Sequence, residues 1–172
     1  MTERNFVRED PNNSKGREAT ALPLLRGHES TNSALLEKAK KDGIDRISTA
    51  GLVRREDGRV LIIRRKLGDT VGGLYEAPGG GFGDDGTLEE SLSRETSEEI
   101  GLRIRAVKEY LGHVDFNDKH GLKCRKFLFA IDVEDGEPKL SDEHVEYKWV
   151  DRNEIKEYNL TPDMGKLLLS KV

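Results

Sequence analysis

Apolar positions recur along this chain in two rhythms, and the change from one to the other marks its elements. Between Thr87 and Gly101, Leu88, Leu92, Thr96 and Ile100 return every fourth residue, which draws one buried face of a helix. Thr87 followed by Glu90 is a helix-start signal: the hydroxyl accepts from an early backbone N–H while the Glu reaches back to the cap's own N–H. Gly101 tolerates the left-handed conformation that ends helices, so it reads as the C-cap. Before this helix, residues 47–54 read as a strand, Glu56-Asp57-Gly58 as a hairpin turn and residues 59–65 as the return strand. Residues 74–78 form a short extended entry, because Pro78 keeps Ala77 away from helix. After the helix, residues 104–112 read as a strand and residues 113–121 as a polar loop. Residues 122–133 make a long strand with Phe127, Phe129 and Ile131 alternating to one face. Residues 141–150 lead into a further strand, residues 151–158 read as a short helix, and Pro162 opens a last one at its first position. Met164, Leu167 and Leu168 face the core there.

The N-terminal part has a weaker pattern. Residues 1–27 are polar and irregular apart from the apolar run Ala21-Leu22-Pro23-Leu24-Leu25. That run either packs on its own domain or reaches a second subunit in a homodimer. Asn32 or Ser33 caps a short helix through Lys41, with Ala34, Leu35 and Ala39 inward. The chain therefore divides into an N-terminal extension, 1–43, and a domain, 44–172. At 172 residues it is long enough for a real core. Helices alternating with strands predict an α/β fold, an α/β/α sandwich with a mixed sheet.

Charge narrows the function. Charged residues make up 36% of the chain and the net charge is −4, which lacks the basic footprint of a stable nucleic-acid partner. No apolar run approaches the roughly 20 residues that span a bilayer, and no hydrophobic leader is visible. The single cysteine, Cys124, cannot form an internal disulfide and reads as a packed thiol. A cytoplasmic location is the default expectation.

The candidate chemistry lies on the central helix. At roughly 100° per residue, Glu95, Glu98 and Glu99 share about a quarter to a third of its circumference, where like charges repel. A solvated acidic face is one reading. The other is a site for a hard divalent cation, which takes carboxylate and phosphate oxygens. The adjoining Pro78-Gly79-Gly80-Gly81 loop favours the second, because small residues let backbone approach a ligand closely. His113, Asp115, Asp118 and His120 match no ligand spacing and are read as a hairpin loop at the substrate rim. Trp149 is read as core.

The segment Arg94-Glu95-Thr96-Ser97-Glu98-Glu99-Ile100-Gly101-Leu102 resembles the second half of the Nudix box, G-x5-E-x7-R-E-U-x-E-E-x-G-U, with Gly80 at its opening glycine. Gly86 stands where the first box Glu is usual, and Thr96 replaces a bulky apolar residue. Asp84 and Asp85 are acids close enough to substitute, and Gly86→Glu is expected to raise activity if the departure is a weakness. The resemblance implies metal-dependent hydrolysis of a nucleoside diphosphate linked to another group, with Mg2+ or Mn2+ and a nucleotide-type small-molecule substrate. It also implies Glu95, Glu98 and Glu99 as metal ligands, the Gly80 carbonyl as a further one, and a glutamate from a late loop, Glu143 before Glu146. Glu98 or Glu99 would orient or deprotonate the attacking water. Arg94 would be an ion-pair partner within the cluster, and Arg64 and Arg65 contacts for substrate phosphates. Gly86 keeps a second reading open, a nucleotide-binding or regulatory module of the same fold with weak or no catalysis.

Overall fold

The structure is a computed structural model that describes residues 28–83, 86–151 and 153–171. The apolar run at 21–25 and the acids Asp84 and Asp85 lie outside the described residues. In order come α1 (His28–Lys41), β1 (Arg46–Val53), β2 (Val60–Arg65), β3 (Tyr75–Glu76) and α2 (Leu88–Ile100). There follow β4 (Ile104–Asn117), β5 (Lys123–Val133), β6 (His144–Val150), a single 3-10 turn (Ile155–Glu157) and α3 (Pro162–Lys171).

Two three-stranded sheets organise the chain, β1-β5-β4 and β3-β2-β6. β1 runs parallel to β5, and β4 antiparallel to it, so the first sheet is mixed. Successive residues of the strands of both sheets feed two separate cores. Ala50, Leu52, Val60, Ile62 and Leu128 pack towards Met164, Leu167 and Leu168 of α3. Val53, Leu61, Ile63, Phe127, Phe129 and Ile131 pack towards Leu88, Leu92 and Ile100 of α2 and Ala39 of α1. Strands buried on both faces between helices are the α/β/α arrangement that the alternating pattern predicts.

Four expectations are corrected. The turn after β1 forms, with the Arg55 amide donating to the Arg59 carbonyl at 2.9 Å, but β1 and β2 then enter different sheets. The reason is that β5 fills one edge of β1 and the glycine loop the other, through Gly51 N–H to Pro78 O at 2.8 Å and Thr49 N–H to Gly80 O at 2.9 Å. Second, β4 continues through His113 and Asp115 to Asn117. Asp115 is polar because it holds the buried Arg125 of β5 with two bonds of 2.7 Å, not because the chain leaves the sheet there. Third, Asn32 and Ser33 lie inside α1 rather than capping it, with Asn32 buried and Ala34 exposed. Fourth, the helix expected over 151–158 shrinks to one turn, because residues 159–161 are drawn alongside Tyr75 of β3.

Candidate active site

Local sequence builds α2 as the pattern predicts. The Glu90 amide donates to Thr87 Oγ1 at 3.1 Å, the Thr87 amide donates to Glu90 Oε2 at 3.0 Å, and Gly101 closes the helix at φ 67°. Leu88, Leu92, Thr96 and Ile100 are all buried, which turns Glu95 and Glu99 towards the glycine loop. That loop lies closely between β1 and α2 because two of its glycines admit close contact, Gly79 with β1 and Gly80 with α2. A Cβ on Gly79 would stand 2.1 Å from the Thr49 carbonyl oxygen, and one on Gly80 2.2 Å from Glu95 Oε2.

Two carboxylates thus meet the loop directly, and a third is joined to it through Arg94. Glu99 is 6% exposed and accepts from the Gly79 amide at 2.7 Å. Burial, together with the nearby Glu76 and Glu95 charges, pushes its carboxyl up to about 8. Glu95 is bound by Arg94 Nη1 at 2.7 Å, and the same nitrogen reaches Glu98 Oε2 at 3.4 Å. Arg94 Nη2 donates to the Gly81 carbonyl at 3.2 Å, which fastens the guanidinium to the loop. Arg94 therefore stands among the acids as their ion-pair partner. Glu98 keeps a largely exposed side chain.

These carboxylates suit a hard cation. Their donors are all oxygens, and a carboxyl raised this far is relieved when positive charge arrives beside it. Among the described residues no three acidic or histidine side chains converge into a ready cage, because Arg94 draws Glu95 and Glu98 aside while Glu99 turns to Gly79. The Gly80 carbonyl already accepts from the Thr49 amide at 2.9 Å, which leaves it one lone pair.

The other predicted residues are spread more widely. Arg65 is bound to Glu76 at 2.8 Å, to Asp69, and to Glu143 at 3.4 Å. Glu143 is exposed and meets Arg65, not the α2 acids. Arg64 pairs with Glu146 at 3.1 Å and lies over the Tyr75 ring at 5.9 Å. Trp149 is half-buried under the Arg55 guanidinium, 4.3 Å from its ring centre. His113 and Asp115 belong to β4 and do not join the α2 cluster, while Asp118 accepts from the amides of its own turn.

Two residues that the sequence does not single out stand beside Glu99. Glu76 on β3 and His144 on β6 are both buried, with His144 Nε2 lying 3.4 Å from Glu76 Oε1 and 3.8 Å from Glu99 Oε1. Burial pushes the Glu76 carboxyl up, yet His144, Lys126 and Arg65 together hold it below its ordinary value. A charged residue between Tyr75 and Ala77, just ahead of the loop, is the available signal for Glu76. His144 carries none.

Gly86 has a conformational reason to be glycine. Its φ is +80°, and a Cβ there would lie 2.8 Å from Glu90 Oε2, the carboxylate that completes the helix cap. Gly86→Glu is therefore expected to cost stability, whatever it does to activity: the left-handed backbone alone costs a side chain about 1–2 kcal/mol. The thermal midpoint of Gly86→Glu should fall by a few degrees. A midpoint at or above wild type in a melting scan would contradict this.

A family model described as the NUDIX domain matches residues 45–170. A MutT-like protein of Streptomyces ambofaciens is 34% identical over 121 residues, which is 70% of this chain and 73% of that protein. An 8-oxo-dGTP diphosphatase of Proteus vulgaris is 37% identical over 73 residues, covering 41% of this chain and 64% of that one. The crystal structure of a MutT protein from Methanosarcina mazei Go1 superimposes with a TM-score of 0.65 at 29% identity, over 73% of this chain and 91% of that one.

Proposed function

The chain belongs to the Nudix family of hydrolases, and we infer that it cleaves a pyrophosphate bond in a nucleoside diphosphate linked to another group, using a divalent metal ion. The observation that carries this reading is the pair Glu95 and Glu99 turned onto a glycine loop, with Glu98 joined to them through Arg94 and the buried Glu99 carboxyl pushed up to about 8. Glu95, Glu98 and Glu99 would hold Mg2+ or Mn2+, with the free lone pair of the Gly80 carbonyl as a further donor, whereas Glu143 would first have to leave Arg65 to join them. Bound there, the ion neutralises phosphate charge and lowers the pKa of water.

The chain's own residues supply position. Arg94 restrains Glu95 and Glu98 and ties both to the Gly81 carbonyl. Either Glu98, the most exposed of the three, or Glu99 would orient or deprotonate the attacking water. Attack forms a new P–O bond, the water's proton passes to a carboxylate, and the bridging P–O bond breaks to release the second phosphate group. Arg65 already commits its guanidinium to Glu76 and Asp69, so Arg64 is the stronger candidate for substrate phosphate. The box handles the diphosphate and leaves the choice of nucleoside to other loops.

No helix among the described residues is long and apolar enough to cross a membrane. The net charge of −4 supports a small anionic substrate bridged by cations, rather than a nucleic-acid or membrane partner, in the cytoplasm. We assign hydrolysis to residues 44–172, with residues 1–43 an N-terminal extension whose apolar run at 21–25 serves either its own domain or a second subunit of a homodimer. The test is pyrophosphate and phosphate release from nucleoside triphosphates, ordinary and oxidised, ADP-sugars and dinucleoside polyphosphates, with Mg2+, Mn2+ or EDTA. One class should turn over only with metal. Silence across the panel, alongside ligand-induced thermal shifts, would replace the enzyme by the binding module.

A further inference from the structure

Behind the α2 acids lies a second set of charges drawn from parts of the chain far apart in sequence. Glu76 of β3 sits at its centre, 2.8 Å from Arg65 of β2, 3.4 Å from His144 of β6 and 4.0 Å from Lys126 of β5. Lys126 is anchored in turn by Asp163 of α3 at 2.6 Å. Glu76 and His144 are buried, so each charge there needs its partners.

The imidazole is the link to the α2 acids. Its Nδ1 is buried with no hydrogen-bond partner in the structure, so a hydrogen placed there would be an unsatisfied donor. The single hydrogen of a neutral ring therefore belongs on Nε2. That N–H stands between two carboxylates, hydrogen-bonding Glu76 Oε1 at 3.4 Å and facing Glu99 Oε1 at 3.8 Å. The other oxygen of Glu99 is fixed by the Gly79 amide. We propose that His144, braced by Glu76, positions the Glu99 carboxylate for the metal ion and is a positioning residue of the hydrolysis. This rests on the reading of Glu99 as a member of the metal-holding cluster. Glu76 is the brace because Arg65 and Lys126 keep it anionic and stationary. With Oε2 held by the Gly79 amide and Oε1 facing the imidazole from the buried side, Glu99 keeps free lone pairs for a cation shared with Glu95 and Glu98.

The test uses the full chain with Mn2+ as the probe, free Mn2+ being followed by electron paramagnetic resonance. Alongside it run melting scans in EDTA and kcat and KM for whichever substrate class the wild type hydrolyses. His144→Phe keeps the ring volume and removes the donor. It should weaken Mn2+ binding by about tenfold or more, the usual cost of losing a partner behind a metal ligand, and lower kcat more than it changes KM. His144→Gln places an amide N–H near the Nε2 position and should recover most of both losses, which a purely structural role would not predict. Wild-type Mn2+ affinity in His144→Phe, or no recovery in His144→Gln, would overturn the proposal. Should His144→Phe fail to fold, Glu76→Gln is expected to show the same weakened Mn2+ binding, and wild-type affinity there overturns it equally. A wild type that neither binds Mn2+ nor hydrolyses any substrate sinks the proposed function, and this inference with it. A wild type that does both while the variants match it sinks this inference alone.

Discussion

Glu99→Gln is expected to lose at least about a hundredfold in metal-dependent hydrolysis and, in EDTA, to melt higher than wild type at alkaline pH. The first effect follows from the several kcal/mol that a catalytic metal supplies, each ~1.4 kcal/mol being a factor of ten in rate. The second follows from linkage. The Glu99 carboxyl sits at about 8 in the folded protein, above its ordinary value of 4.5 in an open chain. Below the lower value both states carry the proton, and the group leaves stability untouched. As pH rises towards 8, the unfolded chain releases a proton that the folded protein retains, so stability falls through that window. The loss is on the order of a few kcal/mol, since every tenfold difference in proton affinity between the two states is worth about 1.4 kcal/mol. Glutamine cannot titrate but can still accept from the Gly79 amide, so the variant's stability should be flatter between about pH 5 and about pH 8.5. Urea or thermal unfolding in EDTA across that range reads the difference. Parallel curves for the two proteins would show that Glu99 does not bear this strain.

Gly79→Ala and Gly80→Ala should separate fold from site at neighbouring positions. In Gly79→Ala the new methyl would press on backbone, 2.1 Å from the Thr49 carbonyl oxygen and 2.6 Å from the Ala50 Cα. Backbone in the middle of β1 cannot retreat without losing the Gly51–Pro78 and Thr49–Gly80 hydrogen bonds. Gly79→Ala should therefore cost about 3 kcal/mol or more, the scale of a severe overpacking defect. In Gly80→Ala the methyl would instead meet the Glu95 carboxylate at 2.2 to 2.7 Å, the free end of a flexible side chain. Glu95 can swing away, so Gly80→Ala should keep a midpoint close to wild type. It should lose about tenfold or more in kcat/KM, because a displacement of about 1 Å at a catalytic group is that costly. Melting scans and steady-state kinetics on both variants distinguish the two. A stable, active Gly79→Ala or an unfolded Gly80→Ala would mean the loop sits otherwise on β1.

What the sequence makes legible is local. The Thr87–Glu90 box, the Gly101 cap and the face carrying Glu95, Glu98 and Glu99 lie within one helix, where spacing alone sets geometry. The strand alternation of Phe127, Phe129 and Ile131 is legible for the same reason. Features that depend on a distant partner are not. Asp115 reads as loop until Arg125, ten residues on, supplies its countercharge across the hairpin. The β1–β2 hairpin looks complete because nothing in the sequence shows the glycine loop taking the edge of β1. Glu76 and His144 acquire their place near Glu99 only where β3, β6 and α2 converge, and no spacing rule joins residues 76, 99 and 144. Gly86 reads as a missing carboxylate in the sequence, whereas its positive φ ahead of the cap gives the backbone a claim on that position.

A Mn2+ titration of the full chain, wild type against a variant carrying Glu95→Gln, Glu98→Gln and Glu99→Gln together, tests the metal-holding role of α2 most directly. Electron paramagnetic resonance should show saturable Mn2+ binding by the wild type and none by the triple variant over the same range, with both proteins folded. Equal binding by the two would place the metal elsewhere and contradict the assignment of these three carboxylates.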